Sequence, residues 1–267
     1  MRLAAVGKRY HRRGPMVLQD VELTVPRGTT VHAGGGNGSG KSSLLRVIAG
    51  VTAPSKGRVL GRPDDVGYVP ERFPPAVRFS PRRYLWHLSR VRRIPPGRGL
   101  ALLDRLGGAD LVDIPMTELS KGSCQKVAVA QALMGDPALL VLDEAWTGLD
   151  ATAQALLTAE VGERCDRGDT VVFTDHGRLA AALIPHISWV VAEGSVRLAP
   201  TVSARALVDV QLAGRPNRLD PASLAGVVHA ETAVGGVRLT VEPEHCDALL
   251  VEVLLAGWSV RRVEPSP

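Results

Sequence analysis

Two apolar runs without a polar break, Ala138-Leu139-Leu140-Val141-Leu142 and Thr170-Val171-Val172-Phe173-Thr174, mark the middle of the chain. Runs of this kind belong to strands covered on both faces, as in a parallel sheet. Elsewhere the apolar positions recur at helical spacing. Leu44, Leu45, Val47 and Ile48 follow Lys41, with Gly50 placed to end the helix, and an alanine- and valine-rich stretch runs from Ser120 to Gly135. The β-rich run Thr29-Thr30-Val31-His32-Ala33 leads into a glycine cluster. From Arg2 to Arg27 the pattern predicts two or three short strands, broken by the polar turn His11-Arg12-Arg13-Gly14-Pro15. In the region from Pro74 to Ala109, Ser80-Pro81 offers a capping hydroxyl and a proline at the first helical position. That helix turns Leu85 and Leu88 inward and stops at Pro95-Pro96-Gly97. Buried strands alternating with helices predict an α/β fold with a mostly parallel sheet.

Past Pro200 the texture changes. The expected order is strand (Ala206 to Leu212), short helix (Pro221 to Leu224), strand (Val227 to Glu231), a Gly235-Gly236 turn, strand (Val237 to Val241), helix (Glu244 to Ala256) and strand (Trp258 to Val263). This β-α-β-β-α-β order is the ferredoxin-like arrangement, read as a small C-terminal α+β domain over 201–267 behind a main domain over 1–200.

Composition narrows the classes. With 45% hydrophobic and 22% charged residues over 267 positions, the chain is neither disordered nor too short for a large core. No apolar run approaches the roughly 18–20 residues that span a bilayer. The first residues turn polar too soon for a signal-peptide core, so a cytosolic location is expected. Cys124, Cys165 and Cys246 are scattered and in no metal-ligand spacing, as expected of reduced thiols. The net charge of +5 rests on arginine: only five of the 32 basic residues are lysines, and none lies beyond Lys126. Such a balance suits nucleic acid, an anionic membrane face or a nucleotide, and does not choose among them.

The scarcity of lysine draws attention to Gly35-Gly36-Asn37-Gly38-Ser39-Gly40-Lys41-Ser42, which fits the phosphate-loop pattern G-x-x-x-x-G-K-[ST]. Glycines let backbone N–H groups approach phosphate oxygens closely, and the helix that follows points its positive end at the same anion. Lys41 can reach the terminal phosphates, and Ser42 can offer its hydroxyl to Mg²⁺. The bland alternative is a glycine-rich turn with a chance lysine, but the strand before and the helix after supply the required context. Such a loop needs a carboxylate at the end of a neighbouring buried strand, and Leu142-Asp143-Glu144 provides it. Asp143 would orient the metal, and Glu144 stands where a base could polarise the attacking water. An Asp-Glu pair alone would be read as a helix cap; the upstream loop reverses that.

Leu119-Ser120-Lys121-Gly122-Ser123 then resembles the signature motif of ABC ATPases, usually written LSGGQ, and the resemblance covers the chain from Leu3 to Leu198. Ser120 and Gly122 match; Lys121 and Ser123 depart from the pattern. The resemblance implies a P-loop NTPase ABC cassette: an N-terminal antiparallel β subdomain, a RecA-like parallel-sheet core and an inserted helical subdomain over 72–135. It implies that Ser120 and Gly122 contact the γ-phosphate held by the opposite subunit. His176, in Asp175-His176, resembles the histidine that senses the γ-phosphate. Asp150, in Gly148-Leu149-Asp150, resembles the loop that communicates across the dimer, although it could equally cap the next helix. Tyr10 occupies the place of the aromatic residue that stacks on adenine, with core packing as its alternative. Ser43 falls within the phosphate-loop set. Glu71, in Gly67-Tyr68-Val69-Pro70-Glu71, stands where the family has a glutamine near Mg²⁺.

The expected partners are a second copy or a homologous cassette, and an integral membrane permease docking on the helical subdomain, at the inner face of the membrane. Arg82, Arg83, Arg90, Arg92, Arg93 and Arg98 could there meet acidic permease residues or lipid head groups. The cofactors implied are ATP and Mg²⁺. The resemblance is nearest to the drug, antibiotic and lipid export branch, with import as runner-up. A non-transport ABC ATPase acting on ribosomes or nucleic acid is the alternative from another class. The chain shows neither the second cassette nor the inserted coiled coil of those proteins, so no nucleic acid is expected.

Overall fold

A computed structural model describes residues 1–73, 78–175, 185–199, 208–214, 220–233, 235–241 and 243–265. It divides into two compact units, Met1–Ala199 and Pro200–Pro267.

In the first unit, β1 (Arg2–Lys8) pairs antiparallel with β2 (Leu18–Thr24) and with β4 (Lys56–Leu60). Leu3, Val6, Leu18 and Val21 of this small sheet turn inward. The main sheet runs in the order β5-β6-β7-β3-β8-β9: Val66–Val69, Leu139–Asp143, Thr170–Thr174, Thr30–Gly34, Ile187–Ala192 and Ser195–Leu198. All its pairings are parallel except the β8–β9 hairpin.

Every residue of β6 and β7 is buried, as the two apolar runs predict. Their alternation serves two cores. Leu139, Val141 and Val172 join β1, β2, β3 and helix α1 (Lys41–Ala49) on one face of the sheet. Leu140, Leu142, Val171 and Phe173 join α3 (Arg98–Arg105), α4 (Lys121–Leu133) and α5 (Ala151–Asp166) on the other. Because successive side chains point to opposite faces, one short strand anchors both layers. Truncating Leu140 or Leu142 to alanine should cost about 2–5 kcal/mol.

The helical segment begins at α2 (Pro81–Arg92), where Ser80 Oγ accepts from Arg83 N and Pro81 opens the helix. Arg93, at φ 55°, ends it before the double proline. The second helix of this segment, α3, begins directly after Gly97 and is not foreshadowed by the sequence pattern. Buried Arg164 on α5 donates to Pro137 O at 2.9 Å and Asp136 Oδ1 at 3.0 Å, and pairs with Glu160 at 3.2 Å. It thereby ties the end of α5 to the loop that enters β6.

The second unit carries a four-stranded antiparallel sheet in the order β11-β12-β10-β13: Val227–Ala233, Gly236–Val241, Val208–Ala213 and Ser259–Pro265. Helix α6 (Pro243–Leu255) packs Cys246, Leu249 and Val253 against Val210, Leu212, Leu239 and Val241. Strand order and sequence order together match a ferredoxin-like unit. The expected first helix is instead a 3₁₀ turn, Pro221–Ser223, with Asp220 Oδ1 accepting from Ala222 N at 3.0 Å. Leu224 is already extended, at φ −75° and ψ 152°, which ends the turn before an α-helical nucleus can propagate.

Candidate functional site

At the C-terminal end of β3 the chain enters the glycine-rich loop and then α1. Gly35 has φ 147°, and a Cβ there would sit 2.3 Å from Val191 O, so no other residue fits this close approach. Gly36 and Gly38 face open space. Helix α1 starts at Gly40 with no side-chain cap, which leaves its first N–H groups available to an anion. Lys41 Nζ donates to Gly35 O at 2.8 Å and Gly36 O at 3.0 Å, curling the loop around its own ammonium group. Ser39 Oγ is buried with no hydrogen-bond partner.

Asp143, at the end of β6, is fully buried. Its Oδ1 accepts from Ser42 Oγ at 3.1 Å and from Thr174 Oγ1 at 3.2 Å. Burial pushes its carboxyl above the ordinary carboxylate range, against the lowering effect of those two hydrogen bonds. Its Oδ2 has no hydrogen-bond partner. A buried, half-satisfied carboxylate beside a serine hydroxyl fits a hard divalent cation such as Mg²⁺. Among the described residues no three His, Cys, Asp or Glu side chains converge to hold a metal on their own. Phosphate oxygens and water would therefore complete the shell, as Mg²⁺ at nucleotide sites requires.

Glu144 follows at φ 51°, a left-handed conformation that costs of order 1–3 kcal/mol in a non-glycine residue. Its backbone N–H donates to Thr174 Oγ1 at 3.0 Å. Glu144 and Glu71 line one cleft of about 480 Å³ together with Asn37, Gly38, Lys41 and Ser42. Tyr10 stands beside it with its ring half-exposed, its hydroxyl 3.0 Å from Ser43 Oγ. Although burial acts to raise it, the Tyr10 phenol lies below its ordinary value, because hydrogen bonds with Ser43 and Arg46 outweigh that burial.

Ser120 and Gly122 are absent from the lining of this cleft. Ser120 caps α4, accepting from Ser123 N at 3.1 Å. A Cβ on Gly122 would meet Gly148 O at 2.3 Å, so the start of α4 lies against the loop leading to Asp150. Asp150 caps α5 through Ala153 N at 2.9 Å and pairs with Lys126 Nζ at 2.6 Å. Hydrogen bonding from Lys126 holds its carboxyl below the usual range. Asp175 closes β7; His176 lies outside the described residues.

A family model described as "ABC transporter" matches residues 18–147. The zinc import ATP-binding protein ZnuC of Ruegeria pomeroyi is 38% identical over 177 residues, covering 65% of this chain and 68% of that protein. The chain belongs to the ABC transporter family of ATP-binding proteins. ZnuC of Pseudomonas fluorescens is 36% identical over 180 residues, covering 66% of this chain and 67% of its own length. Among solved structures, an ATP-binding subunit of an ABC transporter superposes with a TM-score of 0.66 at 22% identity, over 76% of this chain and 90% of that one. The ATP-binding cassette MJ0796, solved as a dimer with ADP and Pi, gives 0.65 at 22% identity, over 74% and 97%.

The unit Met1–Ala199 thus has the ABC cassette fold, and as an ABC cassette it is an ATPase coupled to transport. The expected membership of an export branch is corrected: the relatives carrying the likeness are named as importers. Glu71, where this chain departs from the family's glutamine, resembles substitutions in export-type ATPases and pointed the wrong way on direction. No helix among the described residues is long and apolar enough to cross a membrane.

Three residues of the cassette site escaped sequence reasoning. Thr174 reaches Asp143 only because β6 and β7 pair in parallel with those two residues in register. Tyr68 on β5 is partly buried near Asp143, and its phenol is pushed up to about 12, first by burial and then by that carboxylate's charge. Gln125, buried on α4, donates to Pro70 O at 3.4 Å and Ala145 O at 3.3 Å, next to Glu71 and Glu144. The only signal for Thr174 and Tyr68 is their place at or near the C-terminal ends of strands flanking β6; Gln125 has none.

Proposed function

We propose that the chain is the ATP-hydrolysing subunit of an import-type ABC transporter, acting as a dimer on the cytoplasmic face of a membrane permease. The observation that carries this reading is the cleft in which Lys41, Ser42, Glu71 and Glu144 meet at the uncapped start of α1, with buried Asp143 behind. In this reading the phosphates of ATP lie along the N–H groups from Gly36 to Ser43. Lys41 Nζ exchanges its carbonyl partners for the terminal phosphates, while Asn37, Ser39 and the glycines shape the cradle. Ser42 and Asp143 would hold Mg²⁺, with Glu71 on the lining of the same cleft; when bound, the ion would neutralise phosphate charge. Tyr10 stacks on adenine.

Glu144 accepts a proton from the water that attacks the γ-phosphorus as the bond to ADP breaks, and His176 orients that water. Catalysis of this kind is positioning and charge stabilisation. The strained backbone of Glu144, tied to Thr174, holds the carboxylate at the mouth of the cleft. Ser120 and Gly122 lie outside their own chain's cleft, which suits their use on the γ-phosphate of a second copy. Asp150, capping α5 beside Gly122 and Gly148, carries the state of one site to the other.

A groove of about 820 Å³, lined in part by Arg62, Asp65, Leu88 and Arg92, runs between the helical segment and the main sheet and suits a permease helix. The relatives' names support import of a divalent metal such as zinc, selected by the permease. The test is zinc accumulation under zinc limitation in cells carrying Lys41→Ala at the native gene. Uptake should fall to the level of a gene deletion. Unchanged uptake in both strains would remove the zinc reading, and a rise in retained zinc would reverse the direction.

A further inference from the structure

The outer face of α2 carries chemistry that the ATP cleft does not use. Between Arg72 and Leu103 the chain has eight arginines and no aspartate or glutamate. With +5 for the whole chain, this stretch's +8 leaves −3 for everything else. Phe79, His87 and Trp86 form an aromatic row with ring centroids 5.3 and 5.0 Å apart. A guanidinium covers each end: Arg83 stands 5.0 Å from the Phe79 ring and Arg90 5.5 Å from the Trp86 ring. Phe79 is 40% exposed, Trp86 48% and Val91 79%. Beside the row, α2 and α3 enclose a mainly apolar groove of about 410 Å³, lined by Leu85, Trp86, Gly99 and Leu100 with Arg82 and Arg83.

Some of these arginines are already held, Arg82 by Asp113 at 2.7 Å and Arg92 by Asp65 at 2.8 Å. Among the described residues no carboxylate pairs with Arg83, Arg90 or Arg93. Guanidinium groups left in this state attract anions, and apolar side chains this exposed favour a surface with an apolar layer. A bilayer with anionic head groups supplies both at adjacent depths, phosphates for the arginines and the acyl boundary for Trp86, Phe79 and Val91. A single nucleic acid strand would match the arginines and the rings, but offers nothing to Val91 or the aliphatic groove.

We propose that this face of the helical segment binds the surface of an anionic phospholipid bilayer directly.

Trp86 reports on it, because the other three tryptophans, Trp146, Trp189 and Trp258, are buried. The experiment mixes the full chain with phosphatidylcholine vesicles containing about 30% phosphatidylglycerol. Expected are co-sedimentation, a blue shift of Trp86 emission and protection from acrylamide. Binding should be lost in about 0.5 M NaCl and absent with pure phosphatidylcholine. The triple variant Arg83→Glu/Arg90→Glu/Arg93→Glu, with unchanged far-UV circular dichroism, should partition on the order of a hundredfold less. Should that variant fail to fold, the Trp86 emission of the unmodified chain still decides. An unshifted Trp86 on anionic vesicles would overturn the proposal. So would a triple variant that binds as well as its parent, or oligouridylate that engages Trp86 at lower concentration than the vesicles do.

Discussion

Thr174 shows how much of the site depends on one hydroxyl. It donates to Asp143 Oδ1 and accepts from the N–H of Glu144, so it fixes the buried Asp143 carboxylate and the backbone of Glu144 together. Thr174→Val keeps the shape of the side chain but strands both groups; stability should fall by about 1–3 kcal/mol, with hydrolysis falling further than ATP binding. Denaturant melts and a comparison of kcat with nucleotide affinity check this. Asp143 makes the opposite case. Burial raises its folded pKa above the unfolded value, so the folded chain binds the proton more tightly, and the ionised form weakens the ligand-free fold as pH rises through the folded pKa. Asp143→Asn should therefore raise Tm at pH 7.5 without nucleotide, the gain shrinking toward pH 4, while Mg²⁺-dependent hydrolysis is lost. Differential scanning calorimetry across that range is the measurement. The residues legible in the sequence are those whose chemistry is contiguous, the phosphate loop and Asp143-Glu144. Thr174 and Tyr68 were not legible, because cross-strand register, and no local spacing, brings them to the carboxylate.

Among the elements, α4 connects most. Its first turn holds the signature-like residues, Gly122 lies against Gly148, and Gln125 spans the loops that carry Glu71 and Glu144. One buried amide thus links α4 to the backbone beside both carboxylates. Gln125→Leu should leave Pro70 O and Ala145 O unpaired, lowering kcat more than ATP affinity, whereas Gln125→Glu, which also lacks the donor, should not rescue it; steady-state kinetics distinguish these. Gly122→Ala should destabilise the chain by about 1–3 kcal/mol, since its methyl meets backbone that cannot swing aside, and a thermal melt reads the loss. The helices and strands with clean periodicity or continuous apolar runs were legible: α1, α2, α4, β6 and β7. Helix α3 was hidden because it starts at the same Pro-Pro-Gly that the sequence pattern marks as the stop of α2. The expected helix at Pro221 gave way to a 3₁₀ turn because its neighbours end it within a few residues.

At the scale of the whole molecule, the cores of the two units share no residue. A chain ending at Ala199 should consequently fold and bind ATP with affinity close to that of the full chain; loss of its circular dichroism signal would show that Pro200–Pro267 is needed to form the first unit. In the proposed mechanism ATP is hydrolysed across two copies of this cassette with Glu144 as the base. That mechanism is tested most directly by following ATP turnover and mass together, with Mg²⁺-ATP present, for the full chain and for Glu144→Gln. The variant should lose at least about a hundredfold in turnover yet gather as an ATP-bound dimer, because the closed state forms and cannot discharge. A variant that remains monomeric while hydrolysing ATP at the parent rate would contradict the mechanism.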